Sequence, residues 1–196
     1  MIFEPKWRSL LAHTVEPIFT PQECQDIINK GHEQKAEDAR VGNNISPASD
    51  GKYDIKMRIT KISWIPFKAM PEMYKRIERS MKRVNGNHFG YEGMQITEPA
   101  QFTEYPKGGF YDWHMDADVD CRFEPPVRKI SMTILLSPQN EFDGGDLEFM
   151  TEGNKPPPLL QGQAIFFCSM IRHRVSKVKK GIRRSLVQWF GGPSFK

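Results

Sequence analysis

The chain has 196 residues, 38% apolar and 27% charged, which suffices for one sizeable core and fits a single soluble domain over 1–196. A net charge of +4 is modest, and no apolar run approaches a membrane span, so neither an integral membrane protein nor a strongly basic nucleic-acid coat fits. Cys24, Cys121 and Cys168 form an odd set without CxxC spacing, which argues for reduced thiols; the N-terminus lacks the form of a signal peptide, so a cytoplasmic location is expected.

In chain order, residues 1–19 read as an opening arm ending in a short strand, Ala12 to Phe19. Thr20 then supplies an N-cap, Pro21 the first helical position and Glu23 the reciprocal capping carboxylate. Cys24, Ile27 and Ile28 are the apolar stripe of that helix, and Gly31 its expected stop. The polar stretch from Glu33 to Lys52 reads as a long loop. Tyr53, Ile55, Met57 and Ile59 alternate with Asp54, Lys56, Arg58 and Thr60, which predicts a half-buried strand. Met70, Met73, Tyr74, Ile77, Met81 and Val84 fall at helical spacing before Asn85-Gly86, a core face packed on a sheet.

After Gly90 the pattern shortens to strand-like runs: Gln95 to Tyr105, Gly109 to Asp116, Lys129 to Ser137, Asp146 to Met150, Gln163 to Cys168, His173 to Val178 and Arg183 to Phe190. Pro106 to Gly109, Asp143 to Asp146 and Lys179 to Gly181 are turn signals between them. This spacing predicts a mainly β fold, a sandwich or barrel over 91–192, with flanking helices contributed by residues 1–90.

The stretch from Phe110 to Asp116 carries the chemistry. His114 and Asp116 are two residues apart, and an extended strand would aim both from one face. His173, beyond the apolar run Gln163 to Cys168, is the best candidate for a third ligand. Two imidazoles and one carboxylate can occupy one face of an octahedral iron(II) and leave three positions open. If the chain turns back on itself around Lys177 to Gly181, His173 and Arg183 fall opposite one another. An arginine aimed into a barrel requires an anion, and its planar fork suits a carboxylate. Seven basic residues gather between Arg172 and Arg184; without interleaved aromatics they read as a solvated hairpin, which argues against nucleic acid.

These motifs together resemble the iron(II)- and 2-oxoglutarate-dependent dioxygenases, particularly the prolyl 4-hydroxylase branch. The matching segments are Tyr105 to Asp116, Arg128 to Ser137, Gly144 to Leu147, His173 to Val175 and Gly181 to Phe190, in the family's order and spacing. The resemblance implies a double-stranded β-helix with His114, Asp116 and His173 as iron ligands at one mouth. It implies Arg183 as the anchor of the distal carboxylate of 2-oxoglutarate, Tyr105 as a hydrogen-bond partner of that cosubstrate, and Trp189 near the same pocket. It further implies O2 as oxidant, L-ascorbate as a reductant for the iron, and hydroxylation of an unactivated C–H bond with release of succinate and carbon dioxide. The substrate implied is a prolyl residue in a peptide or protein; other relatives oxidise free amino acids or small molecules. Two departures stand out. Collagen-type prolyl hydroxylases have Lys where this chain has Arg183, and Leu135 replaces a tyrosine of some oxygen-sensing relatives.

Asp116 argues against a halogenase, in which a missing carboxylate makes room for halide. A zinc hydrolase can use the same three ligands but gives Arg183 and Tyr105 no task. A non-catalytic β-barrel binding module would use its basic hairpin on nucleic acid, with salt-sensitive binding that His114→Ala leaves unaffected. Selectivity is expected in the loops at 36–52 and 117–127, where Asp118, Asp120 and Glu124 lie.

Overall fold

The computed structural model describes residues 10–38, 57–117, 125–151, 156 and 158–194. Thr20 caps helix α1 (Pro21–His32) as its sequence predicts, with the Thr20 hydroxyl accepting from the Glu23 N–H and Glu23 reaching back to the Thr20 N–H. Gly31 does not stop it, since the helix runs on to His32 and is capped at Glu33. The glycine serves close packing: a Cβ at this position would lie 2.4 Å from the Phe102 ring. Helix α2 (Pro71–Val84) has the expected methionine face, but the chain continues through a wider helical turn over Asn85–Phe89 instead of breaking at Asn85-Gly86. The Asn85 side chain stays inside the fold, bonded to both the N–H and the carbonyl of Tyr91.

The strands are β1 (Leu11–His13), β2 (Glu37–Asp38), β3 (Arg58–Ile59), β4 (Lys61–Ile65), β5 (Gln95–Ile96), β6 (Ala100–Tyr105), β7 (Phe110–His114), β8 (Val127–Leu135), β9 (Phe142–Gly144), β10 (Leu147–Phe149), β11 (Ala164–Cys168), β12 (His173–Val175), β13 (Val178–Gly181) and β14 (Arg183–Gly192). The large antiparallel sheet has the order β1-β11-β8-β14-β6-β4-β2, with β5 also on β14. The small one has the order β10-β12-β7-β3, and β13 pairs with β9 alone. The run Gln95 to Tyr105, expected as one strand, is split in two around Thr97–Pro99. The expected Ala12–Phe19 strand is confined to β1.

The large sheet is two-sided. Phe102, Ile130, Met132, Ile134, Phe166, Leu186 and Phe190 point to one face, where they pack with Cys24, Ile27, Ile28, Met73, Ile77 and Met81 of the two helices. Each such buried apolar side chain stabilises the fold by about 1.5–3 kcal/mol relative to exposure. The residues between them, Gln101, Thr103, Tyr105, Ser131, Thr133, Arg183, Ser185 and Trp189, are also buried and turn toward the small sheet. Across that gap the Phe149 ring meets Phe167 edge to face, and Arg58 bonds to Gln101. Two facing antiparallel sheets with helices outside the larger one are the expected double-stranded β-helix, although among the described residues hydrogen bonds do not close it into a continuous barrel.

The alternation around Arg58 is inverted. Arg58 and Thr60 are buried, while Met57 and Ile59 are only partly so. Apolar alternation marks the inward side only where the interior is apolar, and here it is the polar space between two sheets. Tyr53 to Lys56 lie outside the described residues, as do Asp118, Asp120, Glu124, Cys121 and residues 39–52 of the expected loop. Cys24 and Cys168 are free and buried.

Candidate metal and cosubstrate site

The small sheet sets two of the expected ligands face to face, since His173 on β12 pairs in register with His114 on β7. Between these residues and the next pair, Val175 and Tyr111, β12 advances two positions and β7 three. The extra residue is a β-bulge over Asp112-Trp113, and it turns Tyr111 and His114 to the same wall although they are three apart. Asp116 is not on the strand at all. β7 ends at His114, and Asp116 follows in a bend where its N–H donates to the Ser169 carbonyl at 3.0 Å. The convergence of His114 and Asp116 therefore comes from this tether and not from strand alternation.

The three side chains offer Nε2 of His114, a carboxylate of Asp116 and Nε2 of His173, with 3.7 Å between His114 and Asp116 and 3.6 Å between His173 and Asp116. All three ligand atoms lie within 4.8 Å of one another. One divalent ion at roughly 2.0–2.2 Å from each donor can span that spacing with small side-chain adjustments. The tautomers fit as well. His114 Nδ1 donates to the Asp112 carbonyl at 2.7 Å and His173 Nδ1 to the Ile171 carbonyl at 3.0 Å, which leaves both Nε2 lone pairs for a metal. The donor set is that of a 2-His-1-carboxylate iron(II) site.

Electrostatics favour the same state. Burial, reinforced by His173 alongside, pushes His114 down to about 4, so the imidazole is neutral at pH 7. Burial would raise Asp116, but the two imidazoles, Arg128 and the Ser131 hydroxyl outweigh it and hold the carboxyl at about 2. Tyr111 stacks on His114 with centroids 3.5 Å apart, while Phe149 and Phe167 enclose His173. His114 is thus neutral and Asp116 anionic, and all three donors are oriented and largely shielded from water.

Arg183 is reached differently from the sequence expectation. It is not the hairpin partner of His173, because β12 belongs to the small sheet while β14 pairs with β6 and β8 of the large one. Short β12 ends at Val175, and β13 leaves to pair with β9, so β12 and β14 do not form the two arms of a hairpin. Arg183 pairs in register with Tyr105 and is 3% exposed. Its guanidinium carbon is 5.5 Å from the Tyr105 ring centre, and Nη1 donates to Ser185 at 3.1 Å. Burial lowers its pKa, opposed by Tyr105 and Asp146. No carboxylate among the described residues lies within ion-pair distance of it. The guanidinium borders a cavity of about 510 Å³ lined also by Leu135, Gly145, Leu147, Phe149 and Ile165.

Two other members of the basic cluster are tied to separate carboxylates. Arg174 pairs with Glu148 at 2.7 Å, and Arg184 with Glu104 at 2.9 Å and Glu141 at 3.4 Å. Trp189 is six positions along β14 from Arg183, about 20 Å of strand. It does not line the cavity beside Arg183; its neighbours are Trp64, with ring centroids 6.1 Å apart, and the Arg128 guanidinium, 4.0 Å above its ring.

Sequence reasoning missed Arg58, Tyr111, Ser131 and Ser169. Arg58 lies 4.3 Å from the Tyr111 ring centre, and Ser131 bonds to Ser169 at 2.9 Å beside Asp116. The signal for Arg58 was its strict alternation with Thr60, which fits a polar interior as well as a wet surface. The serines left none, because their role depends on a contact between β8 and the turn after β11.

A family model described as the 2OG-Fe(II) oxygenase superfamily matches residues 100–191, the span from β6 into β14. A PKHD-type hydroxylase of Idiomarina loihiensis is 35% identical over 112 residues, covering 56% of this chain and 50% of that protein. The chain spans about half the length of the curated relatives it matches. Among solved structures, a Pseudomonas putida prolyl-4-hydroxylase superposes with a TM-score of 0.68 at 19% identity over 94% of both chains. A Trichoplax adhaerens prolyl hydroxylase, in complex with a hypoxia inducible factor oxygen degradation domain peptide fragment, gives 0.69 at 17% identity, over 93% of this chain and 84% of that one. Residues 100–191 are thus similar to the 2OG-Fe(II) oxygenase superfamily, the fold is shared with the prolyl hydroxylase structures, and the His114–Asp116–His173 triad lies within the matched span.

Proposed function

We propose that the protein is an iron(II)- and 2-oxoglutarate-dependent dioxygenase that hydroxylates a prolyl residue in a peptide or protein, releasing succinate and carbon dioxide. One observation carries this reading: Phe149, which packs on His173 of the 2-His-1-carboxylate cluster, also lines the cavity bordered by Arg183, a buried arginine with no ion-paired carboxylate among the described residues. The prolyl hydroxylase fold of the solved relatives, one of them holding a peptide, supports the choice of substrate.

His114, Asp116 and His173 would hold the metal. Bound iron(II), with 2-oxoglutarate and O2, supplies the oxidising chemistry that replaces a C–H hydrogen by hydroxyl, and ascorbate is assigned as the reductant that keeps the metal ferrous. Arg183 receives the distal carboxylate of 2-oxoglutarate, with Ser185 orienting the guanidinium. Tyr105 packs beside that carboxylate, and Leu135 and Ile165 form the apolar wall where some relatives place another tyrosine. Phe149 and Phe167 exclude water around His173. Trp189 and Trp64 line the side away from Arg183, where the substrate enters.

Succinate release is measured against a library of proline-containing peptides, with mass spectrometry for one added oxygen. Turnover should require both ferrous iron and 2-oxoglutarate. Arg183→Gln should raise the KM for 2-oxoglutarate by about tenfold or more while metal binding is retained. Succinate formation that ignores iron would defeat the proposal.

A further inference from the structure

Among the described residues two arginines are buried, Arg183 at 3% and Arg58 at 7% exposure. The half-buried arginines all have carboxylates: Arg128 is held by both oxygens of Glu98 at 2.7 and 2.6 Å, Arg174 by Glu148, and Arg184 by Glu104 and Glu141. Among the described residues the two deepest have none. The cosubstrate answers for Arg183, and nothing so far answers for Arg58.

Arg58 reaches from β3 of the small sheet across to the large one. Its Nε donates to the Thr60 hydroxyl at 2.8 Å and its Nη2 to Gln101 Oε1 at 3.1 Å, which leaves three of its five N–H donors without an acceptor among the described residues. The face of Tyr111, 4.3 Å away, contributes a cation–π attraction. That attraction is only a fraction of the cost of taking a guanidinium out of water. Charge balance points the same way. A ferrous ion, the Asp116 carboxylate, the 2-oxoglutarate dianion and Arg183 sum to neutrality, so Arg58 is a surplus cation next to the Tyr111–His114 stack.

A second, independent group is also unsatisfied on this side. The Trp189 indole N–H is buried with no hydrogen-bond partner among the described residues. Trp189 packs against Trp64, and Trp64 pairs in register with Gln101, the residue Arg58 grips. A buried cation without an anion and a buried N–H without an acceptor therefore border one part of the interior, away from Arg183.

We infer that Arg58 is a specificity determinant that receives a carboxylate of the primary substrate, with the Trp189 N–H taking a neighbouring carbonyl oxygen. This inference rests on the hydroxylase reading above. The carboxylate is either the α-carboxylate of a free amino acid or an acidic side chain flanking the target residue of a peptide.

The test is binding calorimetry on the protein loaded with manganese(II) and saturating 2-oxoglutarate, so that Arg183 is occupied and no turnover intervenes. Two matched probe pairs separate the sources: L-proline against L-prolinamide, and acetyl-Glu-Pro-Glu-amide against acetyl-Gln-Pro-Gln-amide. The acidic member of at least one pair should bind about tenfold more tightly or better. That preference should vanish in Arg58→Gln, survive in part in Arg58→Lys, and leave 2-oxoglutarate affinity unchanged in both. Melting temperatures of the two variants report on folding, and a preference lost only in the glutamine form separates charge recognition from a structural strut. Equal or absent binding of acidic and neutral probes, or an acid preference that persists in Arg58→Gln, overturns the inference. Failure of the manganese-loaded protein to bind 2-oxoglutarate at all brings down the hydroxylase reading and this inference with it.

Discussion

The phenol ring of Tyr111 lies flat on the imidazole of His114, with centroids 3.5 Å apart and planes within 14°. The stack fixes the plane in which His114 presents Nε2, while its Nδ1 is held by the Asp112 carbonyl. Removing a group that orients a metal ligand weakens metal affinity by about 10–100-fold. Tyr111→Ala should therefore bind manganese(II) or iron(II) at least about tenfold more weakly. Tyr111→Phe keeps the stack and should stay close to the parent in a calorimetric metal titration.

Asp116 is held low partly by the Ser131 hydroxyl, which also bonds to Ser169. Ser131→Ala deletes that donor, so the carboxyl pKa rises from its value of about 2. Because a metal binds the ionised carboxylate, the acid midpoint of metal release should move to higher pH. Metal retained after equilibration across a descending pH series measures it, and an unmoved midpoint would remove Ser131 from the account.

Gly145 has a positive φ of 68°, and a Cβ there would lie 2.8 Å from Arg183 Cδ and 2.9 Å from Val178 Cγ2. Gly145→Ala combines backbone strain with a push on the arginine, an expected cost of about 1–3 kcal/mol. A lower midpoint in urea unfolding should accompany weaker 2-oxoglutarate binding, since the same contact carries both.

Burial raises the Cys24 thiol to about 12, with the Glu23 charge adding to it, and burial likewise raises Tyr111 to about 12 despite the nearby Arg58. A group whose pKa is higher folded than unfolded contributes stability that is complete below its unfolded pKa and is lost as pH climbs through the folded value. From reference values of 9.0 and 10.0, the window of loss runs from about 9 upward toward 12. Melting temperature should be flat just below this window and fall within it. Cys24→Ser and Tyr111→Phe should each blunt the fall.

The features that were legible in the sequence are those set by local rules. Thr20 and Glu23 form a capping box around Pro21 at the first helical position from neighbouring atoms alone, and the order of short strands after Gly90 follows from turn residues. The triad members were also legible, as residue types at family spacing, and the structure brings His114, Asp116 and His173 together. What could not be read was how they converge. The Asp116 tether to Ser169, the assignment of β12 and β14 to different sheets, and the polar interior that buries Arg58 all depend on contacts between segments far apart in the chain. Periodicity reports which side of a strand differs from the other, and it is silent on whether the inside is oily or charged.

The added residue in β7 has a consequence for how such a site can change. Tyr111 and His114 share a wall through the strand's count of residues, not through any side chain, so point substitutions can alter what the wall presents but not which positions belong to it. Deleting one residue at Asp112-Trp113 would restore strict alternation and send either the phenol or the imidazole to the outer surface. Length variation at this dipeptide is thus the drastic switch in the molecule, and composition elsewhere only the fine adjustment.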